Sequence, residues 1–258
     1  MGHTYASSDW HGCWAPAKQV LDFLQPDDTL YFLGDAIDRG PDGIKIVDTL
    51  LKDKRVKYIM GNHEDFLVKV LPLKIAYEKY LDGDEDAPMT FKDMDKSEIE
   101  LWMIWNGGEA TWINLIETYL DYKTRYKHYV SALRKLPKRV DYKSPAGHTC
   151  ILTHAGFDCD NKWKWGEDYL WDRDHISSKA TPPQDTYIIH GHTPVQCMYE
   201  FGCPDKKDAA LASINETVLW YNNHTKLDID LCTVKTNKVA LVDLDTFDVR
   251  YFGLAREQ

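Results

Sequence analysis

The chain has 258 residues, 43% of them hydrophobic, enough to enclose a sizeable core in one domain or in one domain with an insertion. Forty-one acidic against 31 basic residues give a formal charge of -10, which disfavours a polymeric nucleic-acid partner and leaves only local basic groups to grip a phosphate. No apolar run approaches the roughly 18 residues of a membrane span, and the opening MGHTYASSDWHG lacks the basic and apolar regions of a signal peptide, so a cytoplasmic protein with no membrane partner is expected.

The first 80 residues read as repeating strand, loop and helix units. Tyr5 to Ser8 is a short strand, Pro16 suits a first helical turn, and Val20, Leu21 and Leu24 give that helix an apolar face. TLYFLGD is a buried strand ending at Asp35, followed by a helix marked by Ile44, Val47, Leu50 and Leu51. VKYIMGN ends at Asn62, after which Phe66, Leu67, Val70 and Leu71 recur at helical spacing. Three strands therefore deliver polar residues at their ends, where open α/β sheets build active sites.

The middle of the chain changes character. Asp82 to Lys96, with DGDEDAP and further acids, reads as an exposed loop, and two helices rich in Trp and Tyr follow over 97–116 and 117–136. Together they form an acidic loop and helical insertion over about 82–136 within a single domain spanning 1–258. Aromatic residues at this spacing suit packing first and substrate contact second. Beyond Arg139, HTCILTHAG, TYIIHGHT, ETVLWYNN, KLDIDLC, KVALVDLD and VRYFGL read as strands of a second sheet with much antiparallel pairing. The six cysteines form no CxxC pair and are expected as free thiols, with Cys197 and Cys203 as the nearest pair for a minor metal site.

Chemistry concentrates at the strand ends. Asp9 and His11 in SDWHG are one residue apart, which on extended backbone puts both side chains on one side of the chain. Asp35 and Asp38 lie in GDAIDRG, where Gly34 and Gly40 permit tight turns and Arg39 adds a fork that complements phosphate. Asn62, His63 and Glu64 follow in GNHE; His154 ends a strand in LTHAG and His192 in HGHTP. Carboxylate, imidazole and amide oxygen are ligands suited to manganese, zinc or iron. A purely structural account would need every one of these strand-terminal groups to be an independent cap or turn.

The ordered set SDWHG, GDAIDRG, GNHE, THAG and GHT resembles the calcineurin-like metallophosphoesterases. More narrowly, GDAIDRGPDG, WNGGEAT and LWDRD resemble the bacterial and phage branch of the serine/threonine protein phosphatases, a branch that is also similar to symmetrical diadenosine tetraphosphate hydrolases. The resemblance runs from Asp9 through His192. It implies an α/β fold, a four-layer α/β/β/α sandwich of two mixed sheets with the helical insertion. It further implies that Asp9 and His11 hold one divalent ion, that Asp35 bridges two, and that Asn62, His154 and His192 complete the second site. Many relatives carry GHxH at the last motif, but Pro194 stands there and supplies no ligand. His190 just before it is expected at a strand end or behind the ligands, with direct coordination as the alternative.

Two divalent cations, manganese in assay or iron and zinc, would supply four positive charges against three from Asp9, Asp35 and a bridging hydroxide. The remaining positive charge, with Arg39 and Arg173 added, suits a phosphomonoester dianion. In-line attack by the bridging hydroxide then follows from the resemblance, with metals roughly 3.5–4 Å apart. Arg39, Arg173 and Asn62 would orient the phosphoryl oxygens, a surface ion pair being the plain alternative for Arg173. His63 would be the general acid, supported by Asp38, since a carboxylate fixes an imidazole's tautomer and favours its protonated form. Asp38 as a turn cap remains an alternative, and Glu64 is expected to start a helix. Trp105 is expected to pack; Trp14, Trp163, Trp165 and Trp171 divide between packing and a substrate rim, and Asp230 between structural support and a place near the metals.

The implied activity is phosphomonoester hydrolysis on a phosphoprotein or phosphopeptide, at serine, threonine or also tyrosine. Hydrolysis of a dinucleoside polyphosphate is the alternative enzyme, and a non-catalytic metal-binding interaction protein the alternative of a different class.

Overall fold

In β1 (Thr4–Ser7) Tyr5 enters one apolar core and Ala6 another, so the strand lies between two layers rather than at a surface. The computed structural model describes residues 2–84, 96–160 and 168–253, and most of the acidic loop, Trp163 and Trp165 lie outside them. β2 (Thr29–Phe32) and β3 (Val56–Tyr58) continue a parallel run from β1, with Leu30 and Phe32 facing the same core as Tyr5. Helices α1 (Trp14–Phe23), α2 (Gly43–Lys52) and α3 (Asn62–Leu81) cover that face, burying Val20, Leu21, Ile44, Val47, Leu50, Leu67, Val70 and Leu71 at the expected spacing.

The helical stretch expected as an insertion packs on the same core through Trp102, Trp112, Leu115, Tyr129 and Leu133. Its first expected helix is broken. α4 (Ser97–Glu100) runs into a π-helical turn over Leu101–Trp105, and Gly107, in the left-handed region at φ +77°, resets the direction before α5 (Gly108–Thr118). Extended backbone at Tyr119 ends α5, and α6 (Tyr122–Leu133) follows. Most of these aromatics pack as expected, but Trp105 does not: it is 79% exposed.

β4 (Arg139–Lys143), β5 (Thr149–Thr153), β6 (Thr186–His190), β7 (Leu219–Tyr221) and β8 (Lys226–Asp228) form the second sheet in the order β4-β5-β6-β8-β7. Its centre is parallel, β5 with β6 and β6 with β8, and only its edges are antiparallel. The last two strands, β9 (Lys238–Asp243) and β10 (Val249–Gly253), join the first sheet instead, giving the order β10-β9-β1-β2-β3. An apolar pattern marks such segments as strands but carries no information about which sheet recruits them.

Between the sheets Ala6, Leu33, Ile59, Leu152, Ile189, Leu227 and Val242 form a second core. Helices α7 (Asp174–Ser177) and α8 (Lys206–Asn215) belong to the far side, where Ile176, Ala209, Ala212, Leu219 and Tyr221 make a third, and the short α9 (Thr233–Thr236) leads into β9. The result is the expected four-layer α/β/β/α arrangement of two mixed sheets. All six cysteines are free, and no described helix is long and apolar enough to cross a membrane.

Candidate metal centre

The polar residues singled out from the sequence gather beyond the carboxyl ends of β1, β2, β3, β5 and β6. Six of them, Asp9, His11, Asp35, Asp38, Arg39 and His192, have φ between +41° and +69°. Such left-handed backbone costs a non-glycine residue about 1–3 kcal/mol and persists only where its surroundings enforce it. Here the enforcement is hydrogen bonding between neighbouring loops: Asp9 N–H donates to Gly34 O at 3.0 Å, His11 N–H to Asp35 O at 2.9 Å and Gly191 N–H to His154 O at 2.8 Å. Asp9 and His11 therefore do not meet as alternate residues of an extended strand. β1 ends at Ser7, and both side chains are aimed by left-handed turns.

Two groups of close donors share Asp35: His11, Asp35 and His63 in one, Asp35, His154 and His192 in the other, with the donor atoms of each group within 4.8 Å of one another. Asn62 Oδ1 lies 2.8 Å from His154 Nε2 and 2.9 Å from His192 Nδ1. Asp9 Oδ1 stands 3.9 Å from His11 Nε2, and its carboxylate accepts bonds from His192 N–H at 3.1 Å and from the Ser8 hydroxyl. Gly191 makes that approach possible, since a Cβ there would fall 2.0 Å from Asp9 Oδ2. The structure thus brings Asp9, His11, Asp35, Asn62, His154 and His192 together in one buried pocket, and His63 stands closer to Asp35 than the sequence pattern conveys.

This donor set fits divalent ions. His11 and His154 each turn Nδ1 to a backbone carbonyl, Ile37 O at 2.9 Å and Leu33 O at 2.8 Å, which leaves Nε2 facing the pocket. Burial, with Arg39 and His63 alongside, pushes the His11 imidazole well below its ordinary value, and burial with His154 and Arg173 does the same to His192. Neutral imidazole is the ligand form. Burial pushes the Asp9 carboxyl up to about 6, with His154 opposing and Asp35 adding to the rise. Burial also opposes charge on His154, but the Asp35 carboxylate outweighs it and lifts that imidazole to about 9. A buried group of carboxylates that draws a proton onto one of its own imidazoles is short of positive charge, which divalent cations would supply.

His63 Nδ1 lies 2.7 Å from Asp38 Oδ2, so the expected pairing is present. Arg39 spans the pocket, with one guanidinium nitrogen 3.0 Å from His11 Nε2 and the other 3.0 Å from His63 Nε2. Glu64 does more than start a helix: its carboxylate ties α3 to the loop after β2 by accepting from Gly61, Asp35 and Ala36 N–H. Arg173 is half-buried with its Nε unpartnered, and burial lowers its pKa while the charges of Asp35, Asp230 and Arg39 reach it. Asp230 is buried close enough for burial and then Asp9 to push its carboxyl well up, placing it near the pocket. His190 bonds Tyr221 Oη at 2.7 Å and Gly191 O at 3.0 Å, behind the ligands rather than among them. Trp171 sets its ring edge-on, 6.0 Å from His192, whereas Trp14 packs on the first core under Lys45. Thr111 and Trp102, which sequence reasoning did not single out, both bond Asp38; the WNGGEAT stretch was the available signal.

A model of the calcineurin-like phosphoesterase family matches residues 3–212, and the chain belongs to that family. Among individual proteins, it is 29% identical over 109 residues to the symmetrical bis(5'-nucleosyl)-tetraphosphatase of Wigglesworthia glossinidia brevipalpis, covering 41% of this chain and 37% of that one. It is 42% identical over 72 residues to the enzyme of the same name from Buchnera aphidicola subsp. Acyrthosiphon pisum (strain 5A), covering 26% of each. The alignments thus span about a quarter to two-fifths of the length of these curated relatives. A solved structure of a candidate diadenosine tetraphosphatase superposes at a TM-score of 0.54 and 13% identity, covering 99% of this chain and 95% of that one, and shares the fold.

Proposed function

We propose that this chain is a metal-dependent phosphomonoester hydrolase acting on phosphoserine or phosphothreonine, and also phosphotyrosine, in a protein or peptide. The observation that carries the hydrolase reading is the pair of donor groups meeting at Asp35, with Arg39 spanning the pocket and His63 backed by Asp38. Asp9, His11 and Asp35 would hold one divalent ion, and Asp35, Asn62, His154 and His192 the other. When bound, such ions lower the pKa of water and neutralise charge on a phosphoryl group; the donors suit manganese, iron or zinc.

The remaining steps belong to the side chains. The Arg39 fork exchanges its two imidazole contacts for phosphoryl oxygens, a better match for a bidentate donor. Arg173 and the Asn62 amide orient the other oxygens, and two arginines favour a dianion over a neutral ester. Once Arg39 leaves His63 Nε2, that nitrogen is free to carry a proton to the departing oxygen while Asp38 keeps Nδ1.

A second substrate reading, symmetrical hydrolysis of a dinucleoside polyphosphate, draws support from the names of the relatives at 29% and 42% identity. Chelator-stripped protein is supplied separately with manganese, zinc and iron, and given a phosphopeptide and diadenosine tetraphosphate in parallel. Metal-restored phosphate release from the peptide is the expected result. Two nucleoside diphosphates from the dinucleotide, with little peptide turnover, would move the function to the second reading. Metal uptake with no release from either substrate would overturn both and leave a binding protein.

A further inference from the structure

Asp38 is fully buried, and among the described residues its one ion-pairing partner is His63. Its other partners are neutral donors from the helical insertion. Thr111 Oγ1 donates to Oδ1 at 2.6 Å and accepts from the Asp38 backbone N–H at 2.8 Å, closing a two-bond ring. Trp102 Nε1–H donates at 3.0 Å to Oδ2, the same oxygen that faces His63 Nδ1. With one oxygen held by a hydroxyl and the other by an indole, the carboxylate cannot rotate about its last bond without breaking both contacts.

We propose that Thr111 and Trp102 are positioning residues that fix the Asp38 carboxylate and, through it, the His63 imidazole, making the insertion a working wall of the reaction centre. The inference rests on the assignment of His63 as proton donor. Two glycines let the insertion come this close. A Cβ on Gly107 would lie 2.8 Å from Arg39 Cγ, while Gly107 O accepts the Arg39 backbone N–H at 2.9 Å; a Cβ on Gly108 would lie 2.4 Å from the Trp102 ring. Trp102 itself lies in the π-helical turn, whose wider winding changes the direction in which that indole leaves the helix. WNGGEAT therefore supplies the close approach and Thr111 in one stretch, with Trp102 three residues ahead of it.

The test uses Thr111→Val, which keeps the shape and removes the hydroxyl, Thr111→Ser, which restores it, and Trp102→Phe as a second route to the same carboxylate. Each is assayed with saturating manganese on an alkyl phosphate, whose leaving oxygen needs a proton, and on a nitrophenyl phosphate, whose leaving oxygen does not. Thr111→Val is expected to slow the alkyl ester about tenfold, part of the 10²–10⁴ that a positioned acid supplies, and the aryl ester less than about twofold. Thr111→Ser should recover most of the loss, and Thr111→Val should add nothing in an Asp38→Asn background. Nitrogen-15 NMR of the metal-free protein supplies a readout without turnover: the His63 Nδ1–H signal should be sharp in the parent and in Thr111→Ser, and broadened by exchange in Thr111→Val. Equal slowing of both esters with an unchanged Nδ1–H signal would overturn the positioning role and leave the hydrolase reading standing. Absence of phosphate release by the parent, with the NMR response present, would overturn the hydrolase reading while supporting the positioning of His63.

Discussion

Replacing Glu64 with glutamine exchanges one oxygen for an amide nitrogen and measures how firmly the loop after β2 is tied to α3. Glu64 is fully buried, and its Oε2 accepts from Asp35 N–H at 2.8 Å and Gly61 N–H at 3.0 Å. Its Oε1 accepts from Ala36 N–H and the Tyr58 hydroxyl, both at 2.9 Å. If the new amide group takes the Oε1 position, Tyr58 can turn its hydroxyl and accept, but the Ala36 N–H is left facing a donor. In the Oε2 position two backbone N–H groups would be stranded, so the first arrangement wins. One unsatisfied buried donor costs about 1–3 kcal/mol, and loss of charge assistance on the surviving bonds adds about 1–2 kcal/mol. Relief of the burial and Asp35 repulsion that raise the Glu64 pKa offsets part of this. A net loss of about 2–4 kcal/mol is expected, lowering Tm by roughly 5–15 °C. Urea unfolding of chelator-treated protein at neutral pH gives the number free of metal linkage. A loss below about 1 kcal/mol with an unchanged m-value would refute the four-donor account.

Four further outcomes follow from the geometry. His63→Asn should leave metal stoichiometry unchanged by titration calorimetry and lower alkyl ester turnover by about 10²–10⁴; unchanged turnover would remove His63 from the chemistry. Chelation should abolish phosphate release, and manganese at 100 times its Kd should restore about 2.7 kcal/mol of stability by scanning calorimetry. Because Asp35 holds the metal-free His154 protonated up to about pH 9, metal uptake at neutral pH should expel a proton, visible as a buffer-dependent binding heat. His175 is buried beside Asp172, and burial lowers its pKa, so the unfolded chain takes up its proton more readily. Stability from this residue therefore rises with pH until the unfolded pKa of about 6.5 and falls on acidification; His175→Asn should flatten the pH 5–7 limb of the unfolding midpoint, and an unaltered limb would contradict the assignment.

The site was more legible in the sequence than the connections that hold it. Asp35, Asn62, His154 and His192 each follow an apolar run, and chemistry-bearing residue types stand out in such places. Asp9 and His11 stand out by their spacing, but spacing does not distinguish the extended segment it suggests from the left-handed turns that aim them. β4 carries little signal because RVDYK alternates weakly on a half-exposed edge, and α8 because KKDAALASIN offers small alanines rather than a large apolar stripe. Which sheet receives β9 depends on a partner at the other end of the chain. The contacts of Asp38 with Trp102 and Thr111 span 64 and 73 residues, so no window on the sequence contains both ends.

The pairing of β1 with β9, through Tyr5 opposite Asp243 and Ala6 opposite Val242, also governs how the molecule is made. β1 is made ahead of β2 by only a few dozen residues and can pair with it on one side, but its other edge waits for Lys238–Asp243. At about 5–20 residues per second that wait is roughly 10–50 s, with a bare strand edge open to any neighbouring nascent chain. Yield of folded protein should therefore depend on elongation rate and on holdase chaperones that cover the edge, and a ribosome stalled ahead of β9 would display only the parallel β1-β2-β3 part of the first sheet, without β9 and β10.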